Sequence, residues 1–208
     1  MPSTSARQPL ELLVGAPPKE RTDAARNRVR ILEAAAELFR ASGVDAVSMD
    51  AVAERAGVGK GTLFRRFGDK AGLAYALLDE LERGIQQDIL GGEPPLGPGA
   101  PARERLTAFM DVYLGHVLRN LDLVRLSETA SPGARYRVGA YRFWHRHLVI
   151  LIEEAGVSSD ADYLAHAVLA SLAADHVGVL VDELGEQRAR AGARDLVERL
   201  VPSAGESA

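Results

Sequence analysis

Four basic side chains lie within eleven residues of the chain. Lys60, Arg65, Arg66 and Lys70 occupy a segment with the periodicity of a short helix, and the segment follows a glycine turn at Gly57. Lysine and arginine side chains neutralise phosphate groups and read guanine edges. This pattern therefore favours recognition of a polyanion over catalysis.

The residues around this segment have helix-turn-helix spacing. The pattern predicts short helices over 49–56 and 60–67, joined by a tight turn in which Gly57 takes a positive φ. Leu63 and Phe67, four residues apart, are predicted to face the core, so the opposite face can enter a DNA major groove. The candidate DNA-binding residues are exposed on this face or lie at a helix start: Ser48, Lys60, Gly61, Thr62, Phe64, Arg65, Arg66 and Lys70.

Each candidate fits one kind of DNA contact. Gly61 allows the backbone to approach DNA closely. Thr62 and Phe64 are suited to thymine methyl groups or to sugar and phosphate, whereas Arg66 and Lys70 are placed to neutralise phosphate. The hydroxyl of Ser48 and the free amides of the helix that it precedes are further phosphate donors.

Charge is distributed unevenly along the 208 residues. The net charge of −4 and the pI near 5.8 argue, for the chain as a whole, against a nucleic-acid partner. Residues 19–70, however, hold 11 Lys and Arg against 8 Asp and Glu, whereas residues 71–208 hold 13 against 20. The helix-turn-helix segment is therefore basic and the remainder is acidic.

The chain is predicted to be all-α, with about nine helices, because apolar residues recur at helical spacing and no segment alternates with period two. Residues 1–22, rich in Pro, Ser, Thr and Ala, are interpreted as a flexible N-terminal arm. Residues 23–70 form the predicted helix-turn-helix domain, and residues 71–208 a larger helical domain.

Several classes of function are disfavoured. With no cysteine, the chain offers no disulfide, thiol nucleophile or cysteine-ligated metal. The run AGVGKGT lacks the Ser or Thr that must follow the lysine of a phosphate loop, and His145 and His147 point to different sides of a helix. We therefore expect neither an enzyme nor a cofactor nor a metal.

The absence of a targeting signal and of a long apolar run predicts a cytoplasmic protein with no membrane partner.

The run ILEAAAELFRASGVDAVSMDAVAERAGVGKGTLFRRFGDKAGL, within residues 28–77, resembles the DNA-binding domain of TetR-family bacterial transcriptional regulators. The family usually has Tyr where this chain has Phe64, so one phosphate hydrogen bond is lost here. It usually has His where this chain has Arg66, so a full positive charge is gained. The later run SETASPGARYRVGAYRFWHRHLVILIEEAG resembles the C-terminal domain of SbtR-like members.

The resemblance implies a homodimer that binds a palindromic double-stranded DNA operator as a repressor and is released by an unidentified small-molecule effector. Its interface would lie on the last two long helices, 160–184 and 186–201, which could instead pack within one subunit. The candidate effector-binding residues are Phe109, Tyr113, His116, Tyr141, Trp144 and His176. Aromatic residues at helical spacing are also typical of an ordinary core. An activator or architectural protein without an effector, and an enzyme or carrier with a helical substrate domain, remain alternatives.

Overall fold

A computed structural model describes residues 19–201 except residues 138 and 158. All regular secondary structure in this part of the chain is α-helical, as the sequence predicts. The helices are α1 (Lys19–Ser42), α2 (Met49–Ala56), α3 (Lys60–Phe67), α4 (Lys70–Gly91), α5 (Ala102–Arg119), α6 (Leu121–Thr129), α7 (Ala134–Arg137), α8 (Gly139–Glu154), α9 (Ala161–Ser171), α10 (Ala174–Leu184) and α11 (Glu186–Leu200).

Helices α1 to α3 form the predicted helix-turn-helix domain. Ser48 Oγ accepts a hydrogen bond from the backbone N–H of Ala51 at 3.1 Å, which starts α2. Gly57 ends that helix with φ of 62°, in the left-handed region that glycine occupies without strain. Leu63 is fully buried, and Phe67 packs against the same core from the next turn of α3. These local features confirm the sequence prediction.

Helix α4 contributes to both halves of the molecule. Its first turn is fixed by Asp69, whose Oδ1 accepts a hydrogen bond from Gly72 N at 2.8 Å. Leu73 is fully buried beside the helix-turn-helix, and Leu78 is buried further along the helix, where α4 packs on α6. One rigid element therefore joins the domain that carries α3 to the larger helical domain.

The larger domain is built around α5 and α8. Phe109 and Trp144 are buried, and their ring centroids lie 6.0 Å apart. Helix α11 packs on α5, and α10 packs on α5, α6 and α11. The core thus has an aromatic centre surrounded by aliphatic side chains.

Within the described residues there are eleven helices where about nine are predicted. Helices α7 and α8 lie on either side of residue 138, which is outside the described residues, and together they span the single helix predicted over 134–155. Helices α9 and α10 replace the single helix over 160–184 and meet at an angle of 54°. Ala173 is extended at the break, and Glu128 Oε2 accepts a hydrogen bond from the N–H of Ala174 at 2.9 Å. Arg135 donates to the carbonyl of Leu169 at 2.5 Å and pairs with Glu128. A buried ion pair from α6 and α7 therefore satisfies backbone groups on both sides of the break.

Helix α1 begins at Lys19, so the last four residues of the predicted N-terminal arm are helical. The rest of that arm, residues 1–18, lies outside the described residues.

No single helix in the described ranges is long and apolar enough to cross a membrane. Helices α9 and α10 together have sufficient length and apolar composition, but they are bent relative to each other.

We expect Gly57→Ala and Gly61→Ala to change stability in opposite directions. At Gly57 the positive φ makes any Cβ costly, by about 1–2 kcal/mol. Gly61 lies in a helix with open space around its Cα, so alanine there should stabilise by up to about 1 kcal/mol. Urea unfolding followed by circular dichroism measures both, and equal effects would contradict the assigned turn.

Candidate nucleic-acid interface and internal cavity

The outer face of α3 is the exposed surface of the helix-turn-helix domain that the sequence predicts. Lys60, Gly61, Arg65 and Arg66 are exposed on it, and the ring of Phe64 is 45% exposed. An exposed phenylalanine beside three basic residues is unusual for a merely solvated helix face. The arrangement presents positive charge and one apolar group on a helix narrow enough for a major groove.

The basic side chains of α3 differ in their partners. Lys60 Nζ lies 2.5 Å from Asp50 Oδ2, and both side chains are more than half exposed. An exposed pair of this kind contributes at most about 1 kcal/mol, so Lys60 can exchange Asp50 for a DNA group. Arg66 Nη1 donates to the carbonyl of Ala24 on α1 at 2.5 Å. Arg65 has no hydrogen-bond or ion-pair partner among the described residues, so its guanidinium is available to a ligand.

An open groove of about 600 Å³ runs between the start of α1 and α3. Arg65, Arg66 and Thr62 line one side of it, and Asp23 and Asn27 line the other. Thr62 is half-buried in this groove. The predicted contact residues of α3 are thus brought together on one surface, next to polar groups of α1 that the sequence reasoning did not include.

Lys70 is placed differently from the other basic candidates. Its Nζ donates to the backbone carbonyls of Val44, Asp45 and Val47 at 2.9, 3.1 and 3.1 Å. All three ammonium hydrogens are therefore used to hold the loop between α1 and α2. A phosphate contact by Lys70 remains a prediction, and it requires at least one of these bonds to break. Ser48 begins α2 at the end of the same loop, with its hydroxyl proton free to donate.

The larger domain contains a small internal cavity of about 30 Å³, enough for about one water molecule. Tyr75 and Glu82 of α4 form one wall, and three of the predicted ligand residues, Tyr113, Tyr141 and Trp144, line the cavity as well. Burial, with a smaller effect of the nearby Glu82 carboxylate, raises the pKa of Tyr113. Its phenol is therefore a neutral group at any ordinary pH.

The other three predicted ligand residues lie elsewhere. Phe109 is fully buried and stacks on Tyr113 with ring centroids 5.5 Å apart, so it supports the cavity wall. His116 is buried beside Glu82, with Nε2 3.6 Å from Oε1. His176 is exposed in a separate groove between α5, α10 and α11. The structure therefore does not bring His176 to the cavity.

Charged residues of the cavity were missed by the sequence reasoning. Glu82, Glu128 and Arg135 all line it, and their side chains are 11%, 14% and 10% exposed. A single charged residue in a helical pattern is normally assigned to the surface. Its burial depends on partners that are distant in sequence, and the pattern does not reveal these partners. The one available signal was Glu82 itself, which falls on the inner stripe of α4 with Leu78 and Ile89.

The paired histidines of α8 have separate surroundings. The ring of His147 is buried against Phe109, and burial together with the nearby Arg105 lowers the pKa of His147 to about 4. His145 faces His166 of α9, with ring centroids 4.1 Å apart. Within the ranges that the structure describes, no three His, Asp or Glu side chains converge as metal ligands.

The fold and this surface define a helix-turn-helix protein with a helical companion domain. Residues 31–77 match the family model described as bacterial regulatory proteins, tetR family. A helix-turn-helix-type transcriptional regulator of Staphylococcus aureus is 47% identical over 58 residues, which are 28% of this chain and 31% of that relative. The chain thus matches less than a third of the length of the curated relatives.

Solved structures extend the likeness beyond the first domain. A TetR transcriptional regulator from Rhodococcus sp. RHA1 has a TM-score of 0.62 at 21% identity, covering 90% of this chain and 99% of that one. A chain described as a transcriptional regulator from Saccharomonospora viridis, solved in complex with choline, has a TM-score of 0.60 at 25% identity, covering 84% and 96%.

Residues 31–77 therefore resemble the TetR family of bacterial regulatory proteins, and the helices beyond them share the fold of the solved structures. The relatives and neighbours named above are regulators, in agreement with the expectation that the chain is not an enzyme. The SbtR-like resemblance of the second domain stays a prediction.

We expect Lys70→Met to lower the free energy of unfolding by about 2 kcal/mol, because three backbone carbonyls lose a charged donor. Lys60→Met is the matched control and should change it by less than about 1 kcal/mol, since Lys60 makes only an exposed pair. Thermal or urea unfolding of both variants measures the difference. Equal stabilities would show that the loop does not depend on Lys70.

Proposed function

We propose that the protein is a dimeric transcriptional regulator that binds a palindromic DNA operator through α3 and represses until a small-molecule effector releases it. The observation that carries this proposal is the exposed outer face of α3, where Lys60, Phe64 and Arg65 stand on a helix-turn-helix of TetR type. It would act in the cytoplasm, where its operator is.

Dimer formation is supported by an apolar patch on the last helices. Val179, Leu184 and Leu196 are 53%, 38% and 39% exposed, and Leu184 and Leu196 line a groove of about 300 Å³ between α10 and α11. Clustered exposed apolar groups on a monomer favour burial against a partner. A second copy of this chain is the proposed partner, because a two-fold dimer presents two α3 helices to an operator whose half-sites lie about 34 Å apart or more. Helix α11 also packs on α5 of its own subunit, as the alternative of packing within one subunit predicts, and we propose that its exposed side contacts the second copy.

Release by an effector is supported by the position of the cavity. Tyr75, Leu78 and Glu82 of α4 form part of its wall, and α4 packs directly on α3 and α1. A molecule larger than one water must displace this wall, and the displacement changes the position of α3. The effector then favours a conformation that fits the operator poorly, which is a shift of population between two states.

The Saccharomonospora viridis neighbour was solved in complex with choline, so a protein of this fold holds a small molecule. This supports an effector over the alternative of an activator or architectural protein that has none. An electrophoretic mobility shift with DNA upstream of the gene, with and without candidate ligands, distinguishes these functions from one another and from a carrier that binds no DNA.

We expect Lys60→Ala and Arg65→Ala each to abolish operator-specific binding, because they remove the groups available to base edges, worth about 1–3 kcal/mol each. Arg142→Ala on the exposed surface of α8 is the matched control and should bind like the wild type. Fluorescence anisotropy against operator and scrambled DNA measures specificity. Unchanged operator affinity in both α3 variants would refute the assigned surface.

The salt dependence of DNA binding separates two roles of Lys70. If Lys70 contacts a phosphate, Lys70→Met should weaken binding to all sequences and lower the slope of log affinity against log salt by about one. If it only holds the loop between α1 and α2, the slope should stay unchanged while stability falls. Given its three carbonyl contacts, we expect the second result.

We expect Val179→Asp combined with Leu196→Asp to yield monomers, because charges would be buried in the interface. Val29→Asp combined with Leu90→Asp is the matched control, since both side chains are exposed on α1 and α4. Sedimentation velocity measures the oligomeric state. A dimer that persists in the first variant would place the interface elsewhere.

A further inference from the structure

Glu82 is a carboxylate without a matching cation. Its side chain is 11% exposed, and within the described residues its carboxylate receives no hydrogen bond. The nearest group that can carry positive charge is Nε2 of His116 at 3.6 Å, and this imidazole is charged only when protonated. Burying an ionised carboxylate without a cation costs free energy, and a bound cationic ligand offsets this cost. A buried carboxylate of this kind is therefore a candidate ligand-binding group.

The other charges of the cavity are already matched. Arg135 pairs with Glu128, donates to the carbonyl of Leu169 and lies 5.6 Å above the ring of Tyr141. Glu128 in turn accepts the N–H of Ala174. Of the three charged side chains that line the cavity, Glu82 is therefore the one that no arginine or lysine pairs with among the described residues.

Aromatic rings surround the same space. Tyr113 and Trp144 both line the cavity with Glu82, and their ring centroids lie 5.4 Å apart. Tyr75 and Tyr141 complete the set of rings. Aromatic faces carry negative potential and attract a desolvated cation, most strongly over tryptophan. The Nε1 of Trp144 is buried without a hydrogen-bond partner, so this lining residue also has an unused donor.

We propose that the effector is a small organic cation, of the alkylammonium class, held by the Glu82 carboxylate and the rings of Tyr113 and Trp144. The proposal rests on the proposed function, because it names the ligand of the same cavity. An anion would be repelled by the Glu82 carboxylate, and a neutral apolar molecule would leave that carboxylate with the His116 imidazole as its one polar neighbour of opposite character among the described residues.

The size of the cavity indicates how ligand binding changes the position of α4. At about 30 Å³ it admits no alkylammonium ion in the conformation described. Binding therefore requires the α4 wall, which carries Tyr75 and Glu82, to move away from α5 and α8. The cation selects the conformation in which α4 is displaced, and its binding energy is reduced by the cost of reaching it.

The test uses the full-length protein with choline and 3,3-dimethyl-1-butanol, which differ only in a quaternary nitrogen in place of a carbon. Tetramethylammonium and benzyltrimethylammonium extend the range of size. Isothermal titration calorimetry and thermal shift should show saturable binding of at least one cation and an affinity at least tenfold lower for the neutral alcohol than for choline. If no cation binds, or if the alcohol binds as well as choline, the proposal is overturned.

Glu82→Gln should weaken the cation affinity at least tenfold, because it removes the charge and keeps the side-chain shape. Glu80→Gln, an exposed position on the same helix, is the matched control and should bind within twofold of the wild type. An unchanged affinity in Glu82→Gln overturns the proposal. If that variant does not fold, the comparison of choline with its neutral analogue in the wild type still decides.

A mobility shift on the same samples separates this proposal from the function on which it rests. Specific DNA binding without cation binding refutes the ligand class and leaves the regulator intact. Cation binding without release of DNA supports the cavity site and refutes control of DNA binding by its occupant.

Discussion

The packing of α4 against both the helix-turn-helix and the larger helical domain constrains the whole molecule. Helix α4 is 22 residues long, which corresponds to about 33 Å at ~1.5 Å per residue. Leu77 lines a groove shared with α1 and α5, and Leu78, the next residue, lines the internal cavity. Neighbouring side chains of one rigid helix thus touch the DNA-binding domain and the cavity, so neither can move alone.

The features that fix the helix-turn-helix are local, and for that reason the sequence predicted them. Ser48 starts α2, Gly57 takes the left-handed turn and Leu63 is buried, each as its residue type and spacing indicate. The exposure of Arg65 follows directly, since at about 3.6 residues per turn it lies on the side of α3 opposite the buried Leu63. Lys60 is exposed because it is the first residue of the helix. The DNA contacts themselves stay predictions.

The features that sequence reasoning missed depend on residues distant in the chain. The break between α9 and α10 is stabilised by Glu128 and Arg135, and no helix-breaking residue marks it in the sequence. Lys70 serves three carbonyls that lie 23 to 26 residues earlier. Glu82 is a candidate ligand group because it is buried among aromatic rings of other helices. Tertiary partners, which spacing does not reveal, decide what each of these charges does.

Few side chains of α3 belong to the core, and this affects how easily such a protein can acquire a new DNA specificity. Of its eight residues only Leu63 is fully buried, and Phe67 packs at the edge, whereas the remaining side chains mostly face outward. Substitutions at Gly61, Phe64 or Arg65 therefore alter the surface offered to bases with little cost in folding. After gene duplication, two copies could acquire different operators by changes at these few positions while the cavity and the rest of the fold stayed the same.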